Sequence, residues 1–187
     1  MCEYVTPARN LVLFGAGPEA VPLANCAHAL GYRVTLVDDR LGAIARIRKL
    51  LPGAVCCCGK APGDVLEHIG LAGGTACVIA THNVAYDLRA ANAAIACGEA
   101  YIGLLGPKQR ARRIIESLLS KGCAPGAVEA VHAPVGLDIG GDTPEQIALS
   151  ILAEIQATAA GRSGGFLRNR DAPIHDPALP QKEHARA

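Results

Sequence analysis

The chain has 187 residues, a formal net charge of +1 and half its residues hydrophobic. So small a net charge sets up no broad field to draw the chain onto nucleic acid, and with four Tyr, two Phe and no Trp it has few platforms for stacking bases. No apolar run approaches the ~20 residues of a membrane span, and Met1-Cys-Glu-Tyr-Val5 lacks the basic-then-apolar pattern of an export signal, so the expected location is the cytoplasm.

The first element is the apolar run Leu11–Phe14, which reads as a buried parallel strand. It runs straight into Gly15-Ala-Gly-Pro-Glu-Ala20, a G-x-G-x-x-A pattern. Gly15 is free to take the tight turn because it has no Cβ. Gly17 lets a phosphate approach the backbone, and Ala20 lets the following helix pack on the sheet. The helix expected from Pro18 offers free N–H groups to an anion. Glu19 falls in its first turn, where its charge complements the helix dipole; it either points into water or repels a phosphate bound there. A second strand, Arg33–Val37, ends in Asp38, roughly 20 residues beyond the glycines, where an acid can accept from ribose hydroxyls.

A helix over 41–51 follows, with Leu41, Ile44, Ile47 and Leu51 at helical spacing, and Pro52-Gly53 breaks it. The pattern then predicts a strand over 54–58, a helix over 64–70 stopped by Gly73-Gly74, a strand over 76–80, a helix over 84–97 and a strand over 99–104. Pro107 opens the next helix, where its missing N–H costs nothing. Ile114, Ile115, Leu118 and Leu119 form that helix's apolar face. Lys108, Arg110, Arg112 and Arg113 form a basic flank, read either as a solvated face or as an anion or partner site. Thr143-Pro-Glu-Gln146 starts the last helix with a cap, a first-turn Pro and a capping-box Gln. Alternating strands and helices define an α/β fold, a Rossmann-like doubly wound parallel sheet in three α/β/α layers, over residues 1–160. From Gly161 the periodicity fails, and Pro173, Pro177 and Pro180 among scattered charges read as a flexible C-terminal tail over 161–187.

Eight cysteines stand at 2, 26, 56, 57, 58, 77, 97 and 123. In a reducing compartment disulfides are not expected, and the spacings match no standard zinc pattern. Cys77 and Cys97 read as small core residues. Cys56, Cys57 and Cys58 alternate faces on a strand, so they cannot converge on one metal.

Ligands of open α/β sheets bind beyond the carboxyl ends of the strands. The candidate loops are therefore Gly15–Pro18, Asp38-Asp39-Arg40, Thr81-His82-Asn83 and Gly106-Pro107-Lys108, with the segment 132–142 as a fifth. His82, directly after a strand, is either an acid/base or ligand residue or a loop-stabilising histidine; His132 has the same two readings. Asp39-Arg40 is a local pair or a ribose and phosphate clamp. Asp138 and Asp142 flank a Gly-rich turn, where caps and Asx-turns are the common use. No nucleophile–base pair, G-x-S-x-G, H-E-x-x-H or P-loop lysine is present. The sequence describes a ligand pocket better than a reaction.

Taken together, five stretches resemble the Rossmann domain of the XdhC/CoxF family. They are Leu11–Ala20, Thr35–Arg40, Ala80–Asn83 through Asp87, Tyr101–Gly106, and His132-Ala-Pro-Val-Gly-Leu-Asp-Ile-Gly-Gly through Thr143–Glu154. The resemblance implies a maturation factor for xanthine dehydrogenase or carbon monoxide dehydrogenase, a chaperone rather than an enzyme. Such a protein binds the molybdenum cofactor (molybdopterin), aids its sulfuration with a cysteine desulfurase, and passes it to a molybdenum hydroxylase client. Carried onto this chain, the implied cofactor-binding residues are Gly15, Gly17, Pro18, Asp38, Asp39, Arg40, Thr81, His82, Gly106 and Lys108, with no metal ligands. The implied partners are the hydroxylase, the desulfurase and a separately encoded N-terminal-type domain of the family; a homodimer is also entertained, and nucleic acid and membrane are not expected partners. The chain departs from the family's common residues at Pro18 (His), Asn83 (Asp) and Pro107 (Ser). Two other readings stand beside this one: an NAD(P)-binding oxidoreductase, for which Asp38 favours NAD, and a regulatory interaction module that has lost its ligand.

Overall fold

A computed structural model of the chain describes residues 9–69, 75–171 and 173. The readings placed on Met1–Val5, Gly70, Gly73-Gly74, Pro177 and Pro180 lie outside the described residues. Six strands, β1 (Asn10–Phe14), β2 (Arg33–Asp38), β3 (Val55–Cys58), β4 (Ala76–Ile79), β5 (Tyr101–Leu104) and β6 (Val131–His132), form one sheet in the order β3-β2-β1-β4-β5-β6. Every pairing is parallel. The order reverses between β1 and β4, which is the switch point of a doubly wound sheet.

Among the described residues there are seven helices: α1 (Ala20–Ala29), α2 (Leu41–Leu50), α3 (Pro62–Ile69), α4 (Val84–Cys97), α5 (Lys108–Ser120), α6 (Pro125–Glu129) and α7 (Pro144–Ala159). Side chains alternate along each strand, so each strand feeds two cores. Leu11, Leu13, Val34, Leu36, Ala76 and Val78 pack against α1, α2 and α7 through Leu23, Ile44, Ile47, Ile151 and Ile155. Val12, Phe14, Val37, Cys77 and Ile79 pack against α3, α4 and α5 through Leu66, Tyr86, Ala90, Ile114 and Leu118. The expected three-layer arrangement is therefore present. The cysteine triplet alternates as expected, Cys56 and Cys58 joining the first core and Cys57 the second. Cys77 is fully buried, and burial pushes its thiol well up.

The cap expected at Thr143 is complete. Its hydroxyl accepts from the Gln146 N–H and the Gln146 side chain accepts from the Thr143 N–H. Three features differ from the sequence reading. The first helix begins at Ala20, after a turn through Pro18 and Glu19. The short helix α6 has no counterpart in the sequence pattern. It leads into β6, so His132 lies on an edge strand paired with Gly103 rather than in a loop. Both elements are too short to leave a periodic signal. In the segment from Gly161, a 3-10 turn spans Leu167–Asn169, and Phe166 and Leu167 are exposed. Among the described residues no helix is long and apolar enough to cross a membrane.

Candidate functional site

The candidate site is the crevice above the carboxyl ends of β1 and β4, bordered by the loops that follow β1, β2, β4 and β5. Gly15 makes the turn out of β1 at φ +118, and a Cβ there would run into the Ala80 carbonyl of the loop after β4. Only glycine allows these two loops to approach so closely. The next residue is anchored from β2: the Ala16 N–H donates to Asp38 Oδ2 at 2.8 Å, and Arg46 Nη2 donates to the Ala16 carbonyl at 2.9 Å.

Asp38 is 2% exposed, and its oxygens are engaged by protein donors. Oδ1 accepts from the Arg40 N–H and Nε, both at 2.9 Å; Oδ2 accepts from Ala16 N–H and from Arg40 Nη2 at 2.7 Å. Burial alone would raise the Asp38 carboxyl. The Arg40 side chain and the Arg40 and Ala16 N–H groups outweigh it and hold the carboxyl below the usual range. Arg40 pairs with Asp38 rather than with its neighbour Asp39, which is exposed. A ribose diol at Asp38 would have to displace Arg40.

The loop after β4 carries the densest polar network. His82 takes φ +59, a left-handed backbone that a side chain other than glycine adopts at a cost. Asn83 caps α4, its side chain accepting from the Ala85 and Tyr86 N–H groups at 3.1 and 3.2 Å. Asp87, 1% exposed, accepts from the Thr81 hydroxyl and from Arg110 Nη2. Arg110 comes from α5, and its Nη1 lies 3.4 Å from His82 Nδ1. The other ring nitrogen, Nε2, lies 3.5 Å from Glu19 Oε1. His82 thus stands, 58% exposed, between the loop after β1 and the helix after β5.

The expected residues Gly15, Gly17, Asp38, Thr81, His82 and Gly106 are brought to one crevice, with Gly106 at φ +138 beside the Arg110 stem. Pro18, Asp39 and Lys108 are exposed at its rim. Of the two readings of the α5 basic flank, a solvated face or an anion or partner site, the solvated one fails at Arg110, which turns inward to Asp87, while Arg112 and Arg113 are exposed. Sequence reasoning missed Asp87 and Tyr86 as site residues; the one signal for them was an acid four residues after a helix cap. The Tyr86 phenol is buried without a hydrogen-bond partner, as are Glu19 Oε1 and Arg110 Nε. Burial, then the Asp39 and Asp38 carboxylates, push the Tyr86 phenol up to about 12.

The 132–142 segment serves a different purpose. The Leu137 N–H donates to the Ser150 carbonyl at 3.2 Å, and the Ser150 hydroxyl to the Leu137 carbonyl at 2.5 Å, pinning the segment to α7. Glu154 Oε2 accepts from the Tyr101 hydroxyl at 2.5 Å and the Gly136 N–H at 2.8 Å, and Glu154 Oε1 lies 3.2 Å from His132 Nδ1. His132 stacks on Tyr101 at 4.5 Å between ring centres. These contacts fit the loop-stabilising reading of His132.

A six-stranded parallel sheet in this order, with a glycine turn at its switch point, defines a Rossmann-type domain. Residues 11–155 match the XdhC Rossmann domain family, and the chain belongs to that family. It is 37% identical over 156 residues to a probable xanthine dehydrogenase subunit from Bacillus subtilis, covering 83% of this chain and 44% of that protein. It is 29% identical over 164 residues to the uncharacterized protein YqeB of Escherichia coli, covering 88% of this chain and 30% of that one. In structure it superposes on a crystal structure described as a xanthine dehydrogenase from Bacillus halodurans with a TM-score of 0.69, at 29% identity, covering 84% of this chain and 44% of the other. The chain thus spans less than half the length of each of these relatives.

Proposed function

We propose that the chain is the ligand-holding domain of an accessory protein for a molybdenum hydroxylase of the xanthine dehydrogenase type, located in the cytoplasm. Its cargo is molybdopterin, a pterin that carries phosphate. It holds this cargo in the β1–β4 crevice while a cysteine desulfurase supplies sulfur, then passes it to the hydroxylase. The family match over residues 11–155 carries this reading. The crevice chemistry supports it in part. A pterin ring is rich in donors and acceptors, and Tyr86 and Arg110 each bring a buried polar atom without a partner, a class of atom that native proteins otherwise satisfy. Lys108 and Arg40, both exposed, supply positive charge.

A nicotinamide dinucleotide fits less well. Its ribose would compete with Arg40 for Asp38. The deciding experiment is to incubate the purified protein with molybdopterin, separate the free pool by gel filtration, and oxidise the bound fraction to its fluorescent pterin. Stoichiometric fluorescence with the protein is expected, together with no heat on titration with NAD or NADP. Absence of pterin from the folded protein would overturn the reading. Binding of a nicotinamide nucleotide would favour the oxidoreductase, and binding of neither the ligand-free module.

A further inference from the structure

In this fold the N-terminus of the first helix, above the glycine turn, is where an anion is seated. In this chain the seat holds a side chain. The Glu19 carboxylate folds back over Gly17, so closely that a Cβ on Gly17 would lie 2.6 Å from Oε1 and 3.0 Å from Oε2. The Glu19 side chain is only 10% exposed, and Oε1 is buried with no hydrogen bond. Across the crevice, His82 Nε2 lies 3.5 Å from Oε1.

Pro18 and Pro22 have no N–H, and the Ala20 N–H is engaged with the Gly17 carbonyl. The other charged groups near the seat are tied elsewhere: Arg46 to the Ala16 carbonyl, Asp38 to Arg40, and Arg110 to Asp87. A carboxylate oxygen buried without a hydrogen bond is poorly held there when a better occupant arrives.

We propose that Glu19 is a built-in occupant of the anion seat and sets the ligand preference of the site. This rests on the reading of the crevice as the ligand site. A phosphate or diphosphate group enters as the Glu19 side chain swings outward past the exposed Pro18, and the returning carboxylate helps to expel it. Swinging out breaks no hydrogen bond to Oε1, since none exists. It leaves His82 Nε2 and the positive end of α1 facing the incoming anion. Glu19 thereby weakens the hold on phosphate-bearing ligands and favours their release, a property suited to a carrier.

The test uses inorganic pyrophosphate as the probe, titrated calorimetrically into the full chain and into Glu19→Gln and Glu19→Ala. Both substitutions remove the charge, and Gln keeps the side-chain size, so it decides the outcome if the Ala variant folds poorly. Binding at least tenfold tighter than in the unsubstituted chain is expected for both. Adding His82→Ala to Glu19→Gln is expected to reverse much of that gain. Affinities in the folded variants equal to that of the unsubstituted chain, or no binding in any of them, would overturn the proposal. The result is separable from the molybdopterin experiment. Tighter pyrophosphate binding without any pterin binding leaves the Glu19 assignment standing and removes only the cargo.

Discussion

Arg110 of α5 reaches inward to the buried carboxylate of Asp87 on α4, and this ion pair ties together the two helices that wall one side of the crevice. Asp87 is the first-turn acid of α4, so it also faces the positive end of its own helix. Arg110→Met removes the partner and leaves the Asp87 charge buried, an event that costs about 3 kcal/mol or more. Arg110 is itself only 17% exposed, so solvent screens the pair weakly. Urea unfolding should show the loss directly. Arg112→Met, two residues on and exposed, should leave the midpoint nearly unchanged.

Asp38 predicts an acid limb in the stability profile. Its folded carboxyl is held below the ordinary value. The stability it contributes is therefore fully present above about pH 4, the unfolded value, and is lost as pH falls through the lowered folded value. Asp38→Asn should lower stability at pH 7 by roughly 1–3 kcal/mol, because Arg40 and the Ala16 N–H lose an ionised acceptor. The difference between the two proteins should shrink as the medium is acidified. Urea midpoints measured from pH 7 down to pH 3 check both the size and the sign.

Much of this arrangement is legible in the residues. Leu11–Phe14 is a continuous apolar run because both faces of β1 are buried, and the Thr143–Gln146 cap is local chemistry complete within four residues. The position of Glu19 is not legible. A glutamate in a first helical turn reads equally as a solvated residue, and its burial depends on Gly17 beneath it and His82 across the crevice. Arg110 is hidden for the same reason: it sits among Lys108, Arg112 and Arg113, and only the position of Asp87 on α4 distinguishes it. β6 escapes notice because two residues show no alternation, and β5 beside it supplies the pairing.

His82 offers a substitution expected to help the fold. Its left-handed backbone is one that glycine adopts freely. His82→Gly should be neutral or stabilising by up to about 1 kcal/mol. If the imidazole belongs to the ligand site, the same variant should bind molybdopterin more weakly. Thermal melts and the pterin assay, run on one preparation, separate the two effects.

Gly136 holds the 132–142 segment to α7. At φ +108 it lies against Ser150, and a Cβ would run into that hydroxyl. Gly136→Ala should therefore cost upwards of about 2 kcal/mol, from backbone strain and overpacking together. Ser150→Ala in the same chain should recover part of the packing loss but none of the backbone strain. Melting temperatures of the single and double variants provide the check.

Glu19 and Asp38 arrive with the first three strands, and His82, Asp87 and Arg110 with the last three. The crevice is a seam between two halves of one polypeptide, and neither half owns it. β1 and β4 already pair backbone to backbone, and a ligand lodged there would add a second fastening, as a dowel does between two boards. If the backbone were severed between α3 and β4, the two pieces would have to find each other before any ligand could be held, and a bound ligand would in turn keep them together. In such a split protein, ligand retention would measure reassembly.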